Sequence, residues 1–388
     1  MKSNIHVKRR TSRFYCKYGV KEPVFLIVFL TCLHMFSFLS FSSLWAAEKA
    51  IRFRTVTCTD QKGIGGEVFR MLVPAEWKYR GGIQWNFNSP TMPAVASLKV
   101  TSPSGTEELE LFANSVFFWA ERGAPRQTHP IGSMYFGREV LPTMDAAAYV
   151  QKVLIPRTRR SVYNLRVIKV TPTPSLVRMY KARCIPFASA DGVKVKIEYQ
   201  MGGSRLIEEE IYTLVYYWNI PVKVWGATSY FTYWGTDFQF SFKVPKGKMG
   251  VHAKIFKTMV KSFKPNLKWY NRYQQLVTML IQRQVKSIRS IGELGRYIAN
   301  TGSQIRDGNL KSWEGRQAIK DRLVKDFCHN IRGVDEYHDP VKGGPVELPA
   351  GYNNAWVNNL GEYIVSDSPS YNPNIGSNLH WQPMKRTR

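Results

Sequence analysis

Residues 192–219 read GVKVKIEYQMGGSRLIEEEIYTLVYYWN, two long runs of alternating apolar and polar residues that meet at Met201-Gly202-Gly203-Ser204. Period-two alternation on both sides of a Gly-Gly pair is the pattern of a β-hairpin, because side chains alternate across a strand and glycine tolerates the tight turn. Strand-like runs recur around it. IRFRTVTCT (51–59) and EVFRMLVP (67–74) flank a turn at Gly63–Gly66, KYRGGIQWNF carries a Gly81-Gly82 break, and AVASLKVTSPSGTEELELFA holds a Pro103-Ser104-Gly105 turn between two strands. SVYNLRVIKVT and TDFQFSFKVP read the same way, and residues 119–143 read as a long loop.

Helical patterns are fewer. TMDAAAYVQKVLIP offers Thr143 as a cap, an acid in the first turn and helix formers up to Pro156. KMGVHAKIFKTMVKSF is a second helix, with Val251, Ile255, Met259 and Phe263 expected on its sheet-facing side. Hairpin spacing outweighs βαβ spacing, so the fold class is α+β, an antiparallel sheet flanked by helices, over residues 48–269.

From Tyr270 the period changes. Tyr273, Val277, Leu280, Gln284, Ile288, Ile291, Leu294 and Ile298 recur at helical spacing, with Arg272, Arg283, Lys286, Arg289 and Arg296 mostly off that stripe. Ile319, Leu323, Phe327 and Ile331 mark a second helix that stops at Gly333, so residues 270–333 read as a helical hairpin. Residues 334–388 read as a small β-hairpin cap on that segment. NAWV and EYIVS flank the loop Asn358-Asn359-Leu360-Gly361, Trp356 and Tyr363 are expected on one face, and asparagines hold the turns.

The order of strand, hairpins, Pro-terminated helix, strand, long hairpin, strand and helix resembles the PsbP/Mog1-type sandwich. So does the run IFKTMVKSFKPNLKW at 255–269. The resemblance spans about 51–269 and implies a non-enzymatic adaptor, since that family holds extrinsic photosystem subunits and GTPase-binding proteins with no catalytic residue to carry over. The ending, around Trp356, Gly361-Glu362-Tyr363 and Asn372-Pro373-Asn374, resembles that of uncharacterised secreted bacterial proteins.

Residues 1–47 place a basic head before an uncharged stretch, VFLIVFLTCLHMFSFLSFSSLWAA, that closes on small residues. This is the layout of a signal peptide and implies export to a periplasmic, cell-surface or extracellular location. Left uncleaved, the same stretch would serve as a membrane anchor. The formal net charge is +27, and residues from 48 onward keep 48 bases against 27 acids. A basic exported protein attracts polyanions, so the expected partners are an anionic envelope polymer, an anionic membrane surface or an acidic protein, with no specific nucleic-acid signal. An oxidising compartment permits one disulfide among Cys58, Cys184 and Cys328, and Cys58 with Cys184 joins two cysteines of the sheet-rich half.

Catalytic motifs are missing: no His-Glu-x-x-His, no Gly-x-Ser-x-Gly, no Gly-x-x-x-x-Gly-Lys. No cofactor is implied. Gly63, Gly65 and Gly66 form a strand turn rather than a phosphate cradle. CHNIRGVDEYHD supplies metal-ligand types, chiefly Cys328, His329 and His338 with Asp335, Glu336 and Asp339, at a spacing foreign to standard zinc sites. Glu362 is a candidate acid without a partner carboxylate nearby in sequence. Tyr216, Trp218, Trp225, Tyr230, Tyr233 and Trp234 divide between core packing and stacking on sugar rings or bases. Arg157, Arg159 and Arg160 read as a surface loop.

The sharpest signal is residues 243–272, which hold nine bases and no acid. Lys254, Lys257, Lys261 and Lys264 fall along one side of a helix, with Lys268 continuing the row beyond Pro265. The leading expectation is a non-enzymatic binding or assembly protein that meets an anionic partner through this row. The alternatives are an envelope hydrolase acting on glycan or peptide through Glu362 or the 328–339 cluster, and a membrane-anchored assembly factor.

Overall fold

A computed structural model describes residues 50–86, 89–183, 189–224, 226–283 and 334–387. The chain opens with β1 (Ile51–Thr59), β2 (Glu67–Pro74), β3 (Lys78–Trp85), β4 (Ala94–Thr101), β5 (Glu108–Leu111) and β6 (Val116–Ala120). Two short strands, β7 (Met134–Tyr135) and β8 (Arg138–Val140), lie in the stretch expected to be loop. After a helical segment over 146–158 come β9 (Tyr163–Pro172), a helix Pro174–Arg183, β10 (Ser189–Met201), β11 (Arg205–Val224) and β12 (Ala227–Pro245). The helix Met249–Lys261 leads through β13 (Lys264–Pro265) to the helix Leu267–Arg283. The described tail holds β14 (Val334–His338), β15 (Pro345–Pro349), β16 (Asn354–Asn358), β17 (Tyr363–Ser366), β18 (Trp381–Pro383) and β19 (Lys385–Arg386).

The protein is a sheet-rich α+β fold with several sheets, the largest of ten strands. That ten-stranded sheet runs β3-β4-β5-β12-β11-β10-β9, with β6 also on β12, β8 on β6 and β7 on β8. The Gly-Gly hairpin forms as the alternation predicts: Met201 pairs with Arg205 and the register holds to Ser189 opposite Tyr217. Gly202 and Gly203 take positive φ in the three-residue loop Gly202-Gly203-Ser204, a backbone that glycine adopts without strain. The alternation buries Val193, Val195, Ile197, Tyr199, Ile207 and Ile211 on one face, against the 146–158 segment. Leu214, Phe240, Phe242 and Val244 serve the other core, with Phe256 and Met259.

Three local expectations change. Gly81-Gly82 does not break its strand, since Gly81 pairs with Leu98 and Gly82 with Ser97 in a continuous β3. Gly81, at φ +125, brings its backbone so near β4 that an added Cβ would sit 2.3 Å from the Ser97 carbonyl oxygen. The 146–158 helix is capped by Asp145, whose Oδ1 accepts from Ala148 N at 2.6 Å, rather than by Thr143. It also runs through Pro156, because a π turn over Val150–Leu154 widens the backbone just where proline lacks an N–H.

The tail is built into the first strands. β17 pairs antiparallel with β1, Phe53 opposite Tyr363, in a six-stranded sheet ordered β13-β2-β1-β17-β16-β18. The hairpin expected to cap the 270–333 segment has the first strand as its hydrogen-bonded partner, and residues 284–333 of that segment lie outside the described residues. Phe53, Leu72, Val357, Tyr363 and Val365 form a core of their own. Trp356 and Tyr363 fall on opposite faces, since Trp356 pairs with Ile364 and Val357 with Tyr363. Trp356 meets Tyr371 edge-on at 5.6 Å instead. The asparagine expectation holds: Asn358 Oδ1 accepts from Leu360 N and Glu362 N, both at 3.0 Å.

The helix Leu267–Arg283 buries Trp269, Leu276 and Leu280 and half-buries Tyr273 and Val277, with Arg272 exposed as its spacing predicts. The rest of the expected helical hairpin lies outside the described residues, as does the signal-peptide or anchor segment. Among the described residues no helix is long and apolar enough to cross a membrane.

Candidate anion-binding site

The acid-free stretch 243–272 meets its acids from elsewhere in the fold. Lys243 Nζ lies 3.1 Å from Glu108 Oε1, its buried cross-strand partner on β5. Lys246 Nζ is 2.8 Å from Glu198. Lys261, expected to face outward, has a side chain only 6% exposed and faces Glu347 of β15 at 3.7 Å. Lys254 is exposed and sits 5.7 Å over the ring of Tyr352, a cation–π distance. Lys257 is half-buried and has a partner.

The reason lies in the helix's surroundings. Met249–Lys261 has apolar contacts on two sides. Phe256 stacks on Phe242 at 4.7 Å and Met259 is fully buried in the sheet core. Ile255 packs both there and against the Phe53–Tyr363 core. Val251, expected inward, is 70% exposed. A periodicity argument allots a helix one wet side, but here the tail lies along part of that side, covering the Lys261 side chain and setting the Tyr352 ring beside the exposed Lys254. The five lysines are therefore unequally open: Lys254, Lys264 and Lys268 are exposed, while Lys257 is half-buried and the Lys261 side chain is covered.

What remains is a smaller basic groove after the helix. Lys264 pairs across strands with Arg70 of β2. Lys268 stands on the first turn of the next helix. Arg70, Lys264 and Lys268 are exposed and line one groove of about 410 Å³, and Glu67 is the only acid among the described residues that line it. Glu67 reaches Arg70 at 3.9 Å, a loose solvated pair that leaves the groove with a basic excess. Asn266 shapes it: its Oδ1 accepts from Lys268 N at 3.0 Å and Trp269 N at 3.3 Å, capping the helix. The positive end of that helix dipole adds to the three cations.

A buried acid holds Trp269, the residue next to Lys268 on the helix. Asp60, 3% exposed, accepts from Gly63 N at 2.9 Å and Ile64 N at 2.8 Å, closing the β1–β2 turn. The same carboxylate accepts from the indoles of Trp85 at 3.0 Å and Trp269 at 3.2 Å. The Gly63–Gly66 turn thus spends its amides on its own chain, in line with its reading as a strand turn. Gly63 is required for contact reasons, since an added Cβ would fall 2.1 Å from the Trp85 ring.

The other sequence candidates have structural partners. Glu362 Oε1 accepts from Arg52 at 3.1 Å and its Oε2 from Asn358 at 2.9 Å. His338 is exposed on β14. Asp339 holds a tight turn by accepting from Val341 N and Lys342 N, and it accepts from the Tyr363 hydroxyl at 2.7 Å. Burial opposes its charge, but those donors outweigh burial and hold its pKa below the ordinary value. Asp335 pairs with Arg386 at 3.1 Å. Cys328 and His329 lie outside the described residues, and among the described residues no three His, Cys, Asp or Glu side chains converge on one point. The expected disulfide is not made by Cys58, a free buried thiol, and Cys184 lies outside the described residues.

Arg159 is the largest miss of the sequence reading. Its side chain is buried, paired with Glu209, which has no exposed surface, and with Glu110 at 2.8 Å. Tyr199 donates to Glu209 at 2.9 Å. Burial opposes the charge on Glu209, yet Arg159 outweighs it and holds the carboxyl below its usual range. Arg157 forms a forked pair with Glu139, and Arg160 is exposed. The three consecutive acids at 208–210 were the available signal, because a strand carrying them must bury at least one against a base. Among the aromatics, Trp234 is fully buried, while Trp218 and Tyr230 are exposed.

A scan against models of known protein families and a search of characterised proteins return no match to this chain.

Proposed function

We propose that the chain is an exported, non-enzymatic binding or assembly protein that meets an anionic partner at the groove of Arg70, Lys264 and Lys268. The observation that carries this reading is the convergence of three exposed cations and a helix N-terminus on one concavity with a single acid. These bases come from β2, β13 and a helix, so the groove is mounted on hydrogen-bonded elements. The chain's overall basic excess would draw an envelope polymer, an acidic membrane surface or an acidic protein toward it, with strong salt dependence. The resemblance of residues 51–269 to the adaptor proteins of the PsbP/Mog1-type sandwich points the same way.

The test is retention on a sulfated-polysaccharide column. Lys264→Glu with Lys268→Glu is expected to elute at clearly lower salt than wild type while keeping the wild-type circular dichroism and melting temperature. A double variant that elutes with wild type overturns the assignment. Binding of the wild type to acidic vesicles but not to the column would single out the membrane surface.

A further inference from the structure

The geometry points to a second site, a groove that binds an uncharged saccharide. It goes beyond the anion-binding reading and shares no residue with it. Tyr217 and Asn219 project from one face of β11, and Tyr230 and Thr232 from the paired face of β12, where Asn219 lies opposite Thr232. Glu121, just past β6, and the 143–145 segment complete a groove of about 360 Å³, within the roughly 300–1,000 Å³ range of small-molecule sites.

The groove is built before any ligand arrives. The Tyr217 hydroxyl donates to the Met144 carbonyl at 2.6 Å, and its ring stacks beside the buried Trp234. The Thr232 hydroxyl donates to Asn219 Oδ1 at 2.9 Å, which aims the amide N–H groups away from Thr232. Asp145 commits Oδ1 to the helix cap and keeps its other oxygen. The exposed hydroxyls of Thr143 and Tyr230 and the exposed Glu121 carboxylate complete a mixed set of donors and acceptors.

Its chemistry selects among ligand classes. Among the described residues no Lys, Arg or His lines it, although the chain carries 55 Lys and Arg, so a phosphate or carboxylate ligand finds no counter-charge in that lining. A bare cation finds only two carboxylates, one of them half-committed, where hard cations take six or more oxygens. A polyol offers hydroxyls that both donate and accept, and its ring C–H face suits an aromatic platform such as Tyr230, which is 44% exposed.

The experiment uses the purified full-length chain on an array of immobilised neutral oligosaccharides, with spermidine and a sulfated hexasaccharide as charged probes in solution. Wild type is expected to bind at least one neutral oligosaccharide. Tyr230→Ala and Asn219→Ala should each weaken that binding about tenfold or more, the loss expected for one lost anchor or hydrogen-bond pair in a small site. Tyr230→Phe should keep most of it, because the ring remains. The Lys264→Glu, Lys268→Glu protein should bind the saccharide normally, which separates this site from the anion groove. No binding across the neutral array overturns the proposal. So does displacement of a bound saccharide by spermidine, or binding that survives Tyr230→Ala.

Discussion

Lys261 lies 3.7 Å from Glu347, a pair that joins the end of a helix to a strand 86 residues further along the chain. The lysine side chain is 6% exposed and the glutamate 27%. One basic residue of an acid-free stretch is thus used to seat the C-terminal segment rather than to meet a ligand. Partial exposure of the glutamate keeps the pair's worth below that of a fully buried one.

Lys261→Glu should lower the unfolding free energy by about 1–3 kcal/mol, by setting two carboxylates against each other in a half-closed interface. Glu347→Lys in the same chain should restore much of the loss. Urea unfolding of the two singles and the double gives the coupling directly. Lys268→Glu, at an exposed position, should stay within about 0.5 kcal/mol of wild type.

Arg159→Ala leaves Glu209 charged and fully buried, and should destabilise by about 3–5 kcal/mol. Arg160→Ala, one position on and exposed, should change stability by less than about 0.5 kcal/mol. Thermal melts of the two variants side by side check the contrast, and equal losses would contradict the buried pair.

Acid should unfold the protein through specific carboxylates. For Glu208 burial opposes the charge, but Lys196 and the amides of Met249 and Gly247 outweigh it, so its folded pKa lies below the ordinary 4.5. Glu209 shifts in the same direction beside Arg159. A depressed folded value means the stabilisation is fully present above the unfolded pKa and is lost as pH falls through the folded one. Melting temperature should therefore hold from neutrality to about pH 5 and fall steeply below it. Glu208→Gln should melt lower at neutral pH and show a shallower fall in acid.

Asp60→Ala removes the acceptor of two indoles and of the β1–β2 turn amides at a buried site. A loss of about 3 kcal/mol or more is expected, since several buried donors are orphaned together. The variant should also loosen the helix Leu267–Arg283, seen as faster amide exchange at residues 269–280. Unchanged exchange there would deny Asp60 its role in anchoring that helix.

The strands were legible because alternation is a local signal. β1 and β2 begin and end where their residue patterns do, and the Gly202-Gly203 turn sets the register of the β10–β11 hairpin. The α+β class followed from those hairpins. Asn358 was readable as a turn holder for the same reason, since its acceptor serves amides two and four residues away. Local errors were few and had local causes, such as the π turn that carries a helix through Pro156.

The candidate site was only half legible. Sequence determined that residues 243–272 carry bases without acids, and it picked out Lys264 and Lys268. It did not reveal which bases stay free, because Glu108, Glu198 and Glu347 reach this stretch only through strand pairing and packing across more than forty positions of chain. Arg70 was invisible as a member of the groove until β13 paired with β2. Periodicity tells which side of a helix is greasy. Whether the other side meets water or a second layer is decided by long-range closure, here the docking of Tyr363 opposite Phe53, and no window of sequence contains both ends of that contact.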